Sequence, residues 1–321
     1  MNVQVLAASL DSAMRTLARL GGVLEIALLL VATALLIVSL VGSLASRRRV
    51  VLGVAAAVLL AGELLLVWFH WRVWSLAIVV DPASGQSVGR IAVPLWVESE
   101  KLYVWALIVA LMGLAAREAR DELLPGIGAI VAALVLGAVL WGRPFTHPLP
   151  SFFGQYAGYV QAMASGVPQA AQSAFEGIQG SRQYYYNTWY MWVHPPLLFF
   201  SYGAFAVSFV ATLLAVVRRH SSYERLAYHW ARLGYLPLTA GMLLGFPWAI
   251  LAWSGQSWWW SGKVNMSIMM WLLYTAYLHG RLYLRRRGMW RWVLALSLLS
   301  FAILVLTYLA TYVVPGAHSY A

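Results

Sequence analysis

The sequence contains no cysteine. That excludes disulfides, a thiolate metal site and any thioether formed on this chain itself. Charge is nearly as scarce: 10% of the 321 residues are Asp, Glu, Lys or Arg, where a soluble domain carries about 25%. Acidic residues are the scarcest, 11 against 22 basic ones. With 62% apolar residues and a mean hydropathy of +0.72, a soluble globular protein is excluded. What the chain has instead is a series of apolar runs, several as long as the ~20 residues that cross a bilayer.

Eight runs can be placed, at roughly 22–45, 50–70, 102–117, 123–141, 192–217, 233–252, 265–283 and 291–313. The fold class this predicts is all-α, a polytopic transmembrane bundle of about eight helices forming a single integral membrane domain over 1–321. The basic residues fall between runs: Arg47, Arg48 and Arg49; Arg218, Arg219, Arg225 and Arg232; Arg281, Arg285, Arg286, Arg287 and Arg291. Short links so enriched face the cytoplasm, which puts the N-terminus and the C-terminus on the non-cytoplasmic side of a multi-pass cell-membrane protein. The basic pI is then a topological signal, and the lipid bilayer rather than nucleic acid is the partner it implies.

Three further segments stand out. Residues 1–21 carry Leu6, Leu10, Met14 and Leu17 at helical spacing, an amphipathic N-terminal segment expected to lie on the membrane surface. The link 142–191 is the longest, begins with Gly142, Arg143, Pro144 and Phe145, and reads as a long outer loop. The link 253–264 holds Trp253, Trp258, Trp259 and Trp260 and reads as a tryptophan-rich outer loop.

Topology sorts the histidines. His194 opens the fifth run and His318 follows the last, both at the outer rim, with the tryptophans between them in sequence. Two imidazoles flanking an aromatic shelf suit a flat, apolar, metal-centred macrocycle, because haem iron takes axial ligands from opposite faces. A rim histidine or an interfacial tryptophan is ordinarily only an anchor, but three consecutive tryptophans exceed what anchoring needs. His279 lies fourteen residues beyond Asn265, about 21 Å further along a helix, so it belongs either to a second, inner site or to the cytoplasmic rim. Glu63 is an ionisable group inside a predicted span, a functional candidate by position; His70 sits at a helix end with no evident pair.

These residues carry a resemblance. Met191-Trp192-Val193-His194-Pro195-Pro196-Leu197-Leu198, followed by Tyr202-Gly203 and Phe205, resembles the first outer-histidine segment of the haem-handling proteins of cytochrome c biogenesis, the CcmF type first and the CcsA and ResC types next. Trp253-Ser254-Gly255-Gln256-Ser257-Trp258-Trp259-Trp260, continuing to Asn265, Ser267, Trp271 and Leu272, is similar to that family's tryptophan-rich motif. Thr275 to His279 resembles its intramembrane histidine segment, and Gly316-Ala317-His318-Ser319-Tyr320 its second outer histidine. The four segments keep order and spacing over about residues 140 to 320. Where the family has Asp-Pro and a Glu after the tryptophans, this chain has Ser261, Gly262 and Val264.

The resemblance implies the rest. His194 and His318 would ligate the iron of a non-covalent b-type haem packed on Trp253, Trp258, Trp259 and Trp260, with His279 holding a second haem. The haem would be presented outward, on the periplasmic or extracytoplasmic side, to an apocytochrome c whose thiols attack its vinyl groups. Arg143 or Lys263 could meet the propionates. The expected function is a haem-binding subunit of cytochrome c assembly, as all or part of a haem lyase, working with other membrane subunits. Two rivals stand beside it: an electron-transfer or structural subunit of a membrane redox complex, and a haem transporter.

Overall fold

The structure is a computed structural model and describes residues 3–116, 121–254, 257–284 and 288–313. Among these the chain is all-α apart from one short ribbon. Ten α-helices follow in order: α1 Val3–Leu40, α2 Arg48–Leu76, α3 Lys101–Ala115, α4 Leu124–Gly137, α5 Pro150–Ala164, α6 Pro168–Ser181, α7 Trp189–Arg218, α8 Ser221–Ala252, α9 Gly262–Leu284 and α10 Trp290–Val313. Between α2 and α3, β1 Ile78–Val80 pairs antiparallel with β2 Ser87–Arg90, Ile78 opposite Arg90 and Val79 opposite Gly89.

Among the described residues six stretches are long and apolar enough to cross a membrane: Gln4–Leu40, Gly42–Leu76, Leu124–Gly142, Trp189–Arg218, Ser221–Ala252 and Trp290–Ala310. The chain is a multi-pass membrane protein. All eight apolar runs of the sequence coincide with helices, but α3, at 15 residues, is shorter than the ~20 needed for a full crossing.

Two segments differ from expectation. Residues 3–21 do not form a separate surface helix; they are the first half of α1, and the face carrying Leu10, Ala13 and Leu17 is buried. Gly21 and Gly22 weaken the helix locally, yet α1 runs through them without a break. The link 142–191 is mostly helical, holding α5 and α6. Pro150 and Pro168 occupy the first turn of these helices, where a fixed φ favours initiation and a missing N–H costs nothing. The rings of Phe152, Tyr156, Tyr159 and Tyr186 give the segment a core of its own.

The described chain divides into two compact units. The first comprises Met1–Leu107 and Val131–Val193; the second comprises Ile108–Ile130 and His194–Ala321. In the first unit α1 packs along α2, and two glycines permit close approach. A Cβ on Gly21 would stand 2.2 Å from the Phe145 Cβ, and one on Gly62 would stand 2.1 Å from the Tyr103 hydroxyl and 2.9 Å from Phe145. That hydroxyl donates to the Leu59 carbonyl at 2.6 Å, and the Tyr103 and Phe145 rings meet edge to face. Gly62→Ala is therefore expected to displace the phenol and destabilise the protein by about 1–3 kcal/mol, read as a lower unfolding temperature in detergent. Gly53→Ala, on the same helix with open space around it, serves as the control.

The segment after the ribbon is held by side chains. Glu98 accepts hydrogen bonds from the Ser151 and Phe152 amides at 2.8 and 3.2 Å, satisfying the first turn of α5. Burial pushes its carboxyl up, and these two amides oppose the shift. The ribbon is bonded on both outward edges. The Tyr156 and Tyr159 hydroxyls donate to the Ile78 and Val80 carbonyls, while Arg182 and Asn187 donate to the Arg90 carbonyl.

In the second unit α8, α9 and α10 pack in sequence order. Small hydroxyls tie the helices together, as suits a setting where lipid competes for apolar contact. Ser208 donates to the Ala227 carbonyl, Thr212 and Ser297 share a bond at 2.8 Å, and the Tyr235 and Thr275 hydroxyls meet at 2.7 Å. Phe205 stacks on Tyr274 with centroids 3.7 Å apart. Glu224, fully buried on α8, pairs with Arg281 of α9, whose guanidinium also lies 3.8 Å from the Tyr228 ring centroid.

Candidate functional site

The site begins with a proline pair. Pro195 and Pro196 lie inside α7, and having no N–H they leave the Met191 and Trp192 carbonyls without their intrahelical donors. The Trp96 indole N–H bonds to the Met191 carbonyl, and the Trp96 ring meets Trp192 edge to face at 5.7 Å. These contacts lie in the first unit.

His194, just before the prolines, belongs to the second unit. Its Nδ1 lies 2.6 Å from the Gly241 carbonyl of α8. A carbonyl only accepts, so Nδ1 carries the hydrogen and Nε2 of the neutral ring keeps an unshared pair. This is how a ligating histidine is oriented by a second bond.

Glycines make room for it. A Cβ on Gly241 would stand 2.9 Å from Leu198, and one on Gly245 would stand 2.7 Å from His194 Cε1. The spacing Gly241-x-x-x-Gly245 is the small-residue pattern that lets two membrane helices approach closely.

Aromatic rings continue from the imidazole. Trp248 lies 6.0 Å from it, tilted by 31°, and Trp253 meets Trp248 at 4.7 Å. Trp258 and Trp259 stack at 4.1 Å, and Phe246 of α8 stacks on Trp259 at 5.3 Å. Trp253 and Trp258 are buried, whereas Trp259 is half-exposed and Trp260 is 81% exposed. Buried rings fix the turn between α8 and α9; exposed ones are available to a ligand or a bilayer.

Ser261 stands at the start of α9 with its hydroxyl 3.4 Å from the Val264 amide and its carbonyl bonded to the Asn265 amide. Serine is a good N-cap, so it does locally what an aspartate would do at that position. Lys263, in the first turn of α9, acts electrostatically on His194.

The remaining expected residues are taken in turn. His279 is exposed on α9, its Nδ1 2.9 Å from the Thr275 carbonyl, so its Nε2 is also left with an unshared pair. Arg143 is in the first unit, exposed and left-handed at φ 52°. His318, with Gly255 and Gln256 of the tryptophan loop, lies outside the described residues.

Among the described residues no three His, Asp or Glu side chains gather in a way that could hold a metal ion. The orienting partners Gly241 and Gly245 were not among the residues singled out from sequence, although their four-residue spacing marks them. Trp96 carried no comparable signal; its bond to Met191 spans 95 positions.

The family described as Cytochrome C assembly protein matches residues 95–318. The probable cytochrome c-type biogenesis protein NrfE of Escherichia coli (strain K12) is 28% identical over 235 residues, covering 68% of this chain and 38% of its own length. CcmF of Haemophilus influenzae, a cytochrome c-type biogenesis protein, is 27% identical over 228 residues, covering 69% of this chain and 31% of its own length. A solved structure of the cytochrome c heme lyase CcmF superposes with a TM-score of 0.58 at 23% identity, over 93% of this chain and 47% of that one, and shows a shared fold. The chain thus spans less than half the length of these relatives. The histidine–proline helix, its glycine seat and the tryptophan turn all lie within the matched stretch, and the chain belongs to the cytochrome c assembly protein family.

Proposed function

We propose that this chain is a haem-binding membrane subunit of cytochrome c assembly, presenting a non-covalently held b-type haem on the extracytoplasmic face as a haem lyase component. One observation carries the reading: His194 has its Nδ1 hydrogen committed to the Gly241 carbonyl, leaving Nε2 as a ligand beside a bank of indoles. A neutral imidazole held this way has its tautomer set and its ring rotation fixed.

The residues present fit the group. A macrocycle brings most of the iron's donors itself, so the protein would owe only the remaining ones. His194 supplies one, and His318 is the proposed second. Trp253 and Trp258 shape the turn, while Trp259 and Trp260 offer ring faces to the porphyrin. Lys263 and Arg143 are the proposed propionate partners, and His279 the proposed ligand of a second haem. When bound, haem supplies the vinyl groups to which the thiols of an apocytochrome c add. The implied partners are that apocytochrome and further membrane subunits of the assembly complex.

The test is attachment. Cells depleted of their own assembly proteins and supplied with this chain, its partner subunits and a reporter apocytochrome c are expected to yield covalently haem-stained reporter. Reporter that stays unstained while the purified chain carries no Soret band would overturn the reading. A finer prediction concerns the glycine seat. Gly245→Ala puts a methyl 2.7 Å from Cε1 and must rotate or push the imidazole. Haem affinity is expected to fall about tenfold, the equivalent of about 1.4 kcal/mol, in a haem titration of the apoprotein.

A further inference from the structure

A second cluster of ionisable groups lies in the first unit, around His70. His70, near the end of α2, is 7% exposed, and Glu100, just before α3, is fully buried. His70 Nδ1 lies 2.7 Å from the Val93 carbonyl, and its Nε2 lies 2.7 Å from Glu100 Oε1. Glu63, seven residues before His70 and so on the same face of α2, interacts electrostatically with both. Glu63 Oε2 and Glu100 Oε2 are buried and accept no hydrogen bond.

The Val93 carbonyl only accepts, so Nδ1 carries a hydrogen. The Nε2–Glu100 contact then needs a second one, as imidazolium and carboxylate or as imidazole and carboxylic acid. Without it, two buried acceptors would face each other, each losing its bond. The pair therefore holds one proton in either form, and it titrates as a unit rather than as two residues. Burial pushes the Glu100 carboxyl up, opposed by the charge and hydrogen bond of His70. Glu63 adds a second carboxyl with an uncommitted oxygen, where a lasting negative charge is costly.

The other polar groups nearby are accounted for. The Tyr103 hydroxyl donates to Leu59, Glu98 is bonded to the start of α5, and Lys101 faces Glu98. We propose that His70, Glu100 and Glu63 form a buried proton-binding site in which the histidine–glutamate pair keeps one proton and Glu63 exchanges another with the medium. The inference is independent of haem, since none of its residues belongs to the site around His194.

Infrared difference spectroscopy of the purified full chain in lipid nanodiscs, without added haem, tests it. Stepping from acid to alkaline buffer is expected to reveal loss of a protonated carboxyl stretch that shifts in deuterium oxide. Glu63→Gln, which keeps the shape and removes the titration, is expected to abolish that change. Glu100→Gln is expected to displace its midpoint by disturbing the pair. A wild-type pH difference that survives unaltered in Glu63→Gln overturns the proposal. If Glu100→Gln fails to fold, Glu63→Gln decides the question alone, because Glu63 makes none of the bonds that tie α2 to Val93 and Glu100.

Discussion

Replacing both His194 and His318 by alanine is expected to cut the haem carried by the purified protein at least tenfold, measured as pyridine haemochrome per mole of chain. The change removes the proposed axial donors and leaves only apolar contact with the indoles. His194→Ala alone is the more informative variant. It deletes a bond to Gly241 with a net value of about 1 kcal/mol, too little to unfold a helix that also packs through Phe199, Phe205 and Val210. Circular dichroism should thus be unchanged while the Soret band weakens and shifts. Free imidazole added to this variant is expected to enter the space above Gly245 and restore the band. Unchanged haem content in the double variant would show that the iron, if present, is held elsewhere.

Arg281→Met is expected to be the most destabilising single change in the second unit. It removes the guanidinium paired with Glu224, which is fully buried, and breaking one half of a buried pair costs about 3–5 kcal/mol. The contact of the guanidinium with the Tyr228 face is lost as well. The expected result is a large drop in unfolding temperature and in yield from membranes. Combining it with Glu224→Gln removes the stranded charge and should recover much of the loss. If the double variant is no more stable than Arg281→Met, the pair is not the source of the effect.

The helices were legible because crossing a bilayer demands long apolar runs, and each of the eight runs became a helix. The limits of that reasoning appear where helices are not greasy. Residues 150–164 and 168–181 read as loop because Gln, Gly and Ser interrupt them, yet an initiating proline and a few aromatic anchors made them helical. His194 and its neighbouring tryptophans were legible because the chemistry is local: the ligand, two prolines and a compact indole turn. Gly241 and Gly245 were readable in principle from their spacing. The pairing of His70 with Glu100 was not, because it joins positions 30 apart through a fold that no local period encodes. Where the family has an aspartate after the tryptophans, Ser261 puts another oxygen at the start of α9, 3.4 Å from the Val264 amide.

The ribbon after α2 has its own consequence. A short two-stranded hairpin ordinarily leaves two rows of backbone groups open to annexation by a foreign strand. Here phenol hydroxyls occupy one margin and a guanidinium with an amide the other. An extended polypeptide arriving at the first margin would have to displace both phenols before it could pair there.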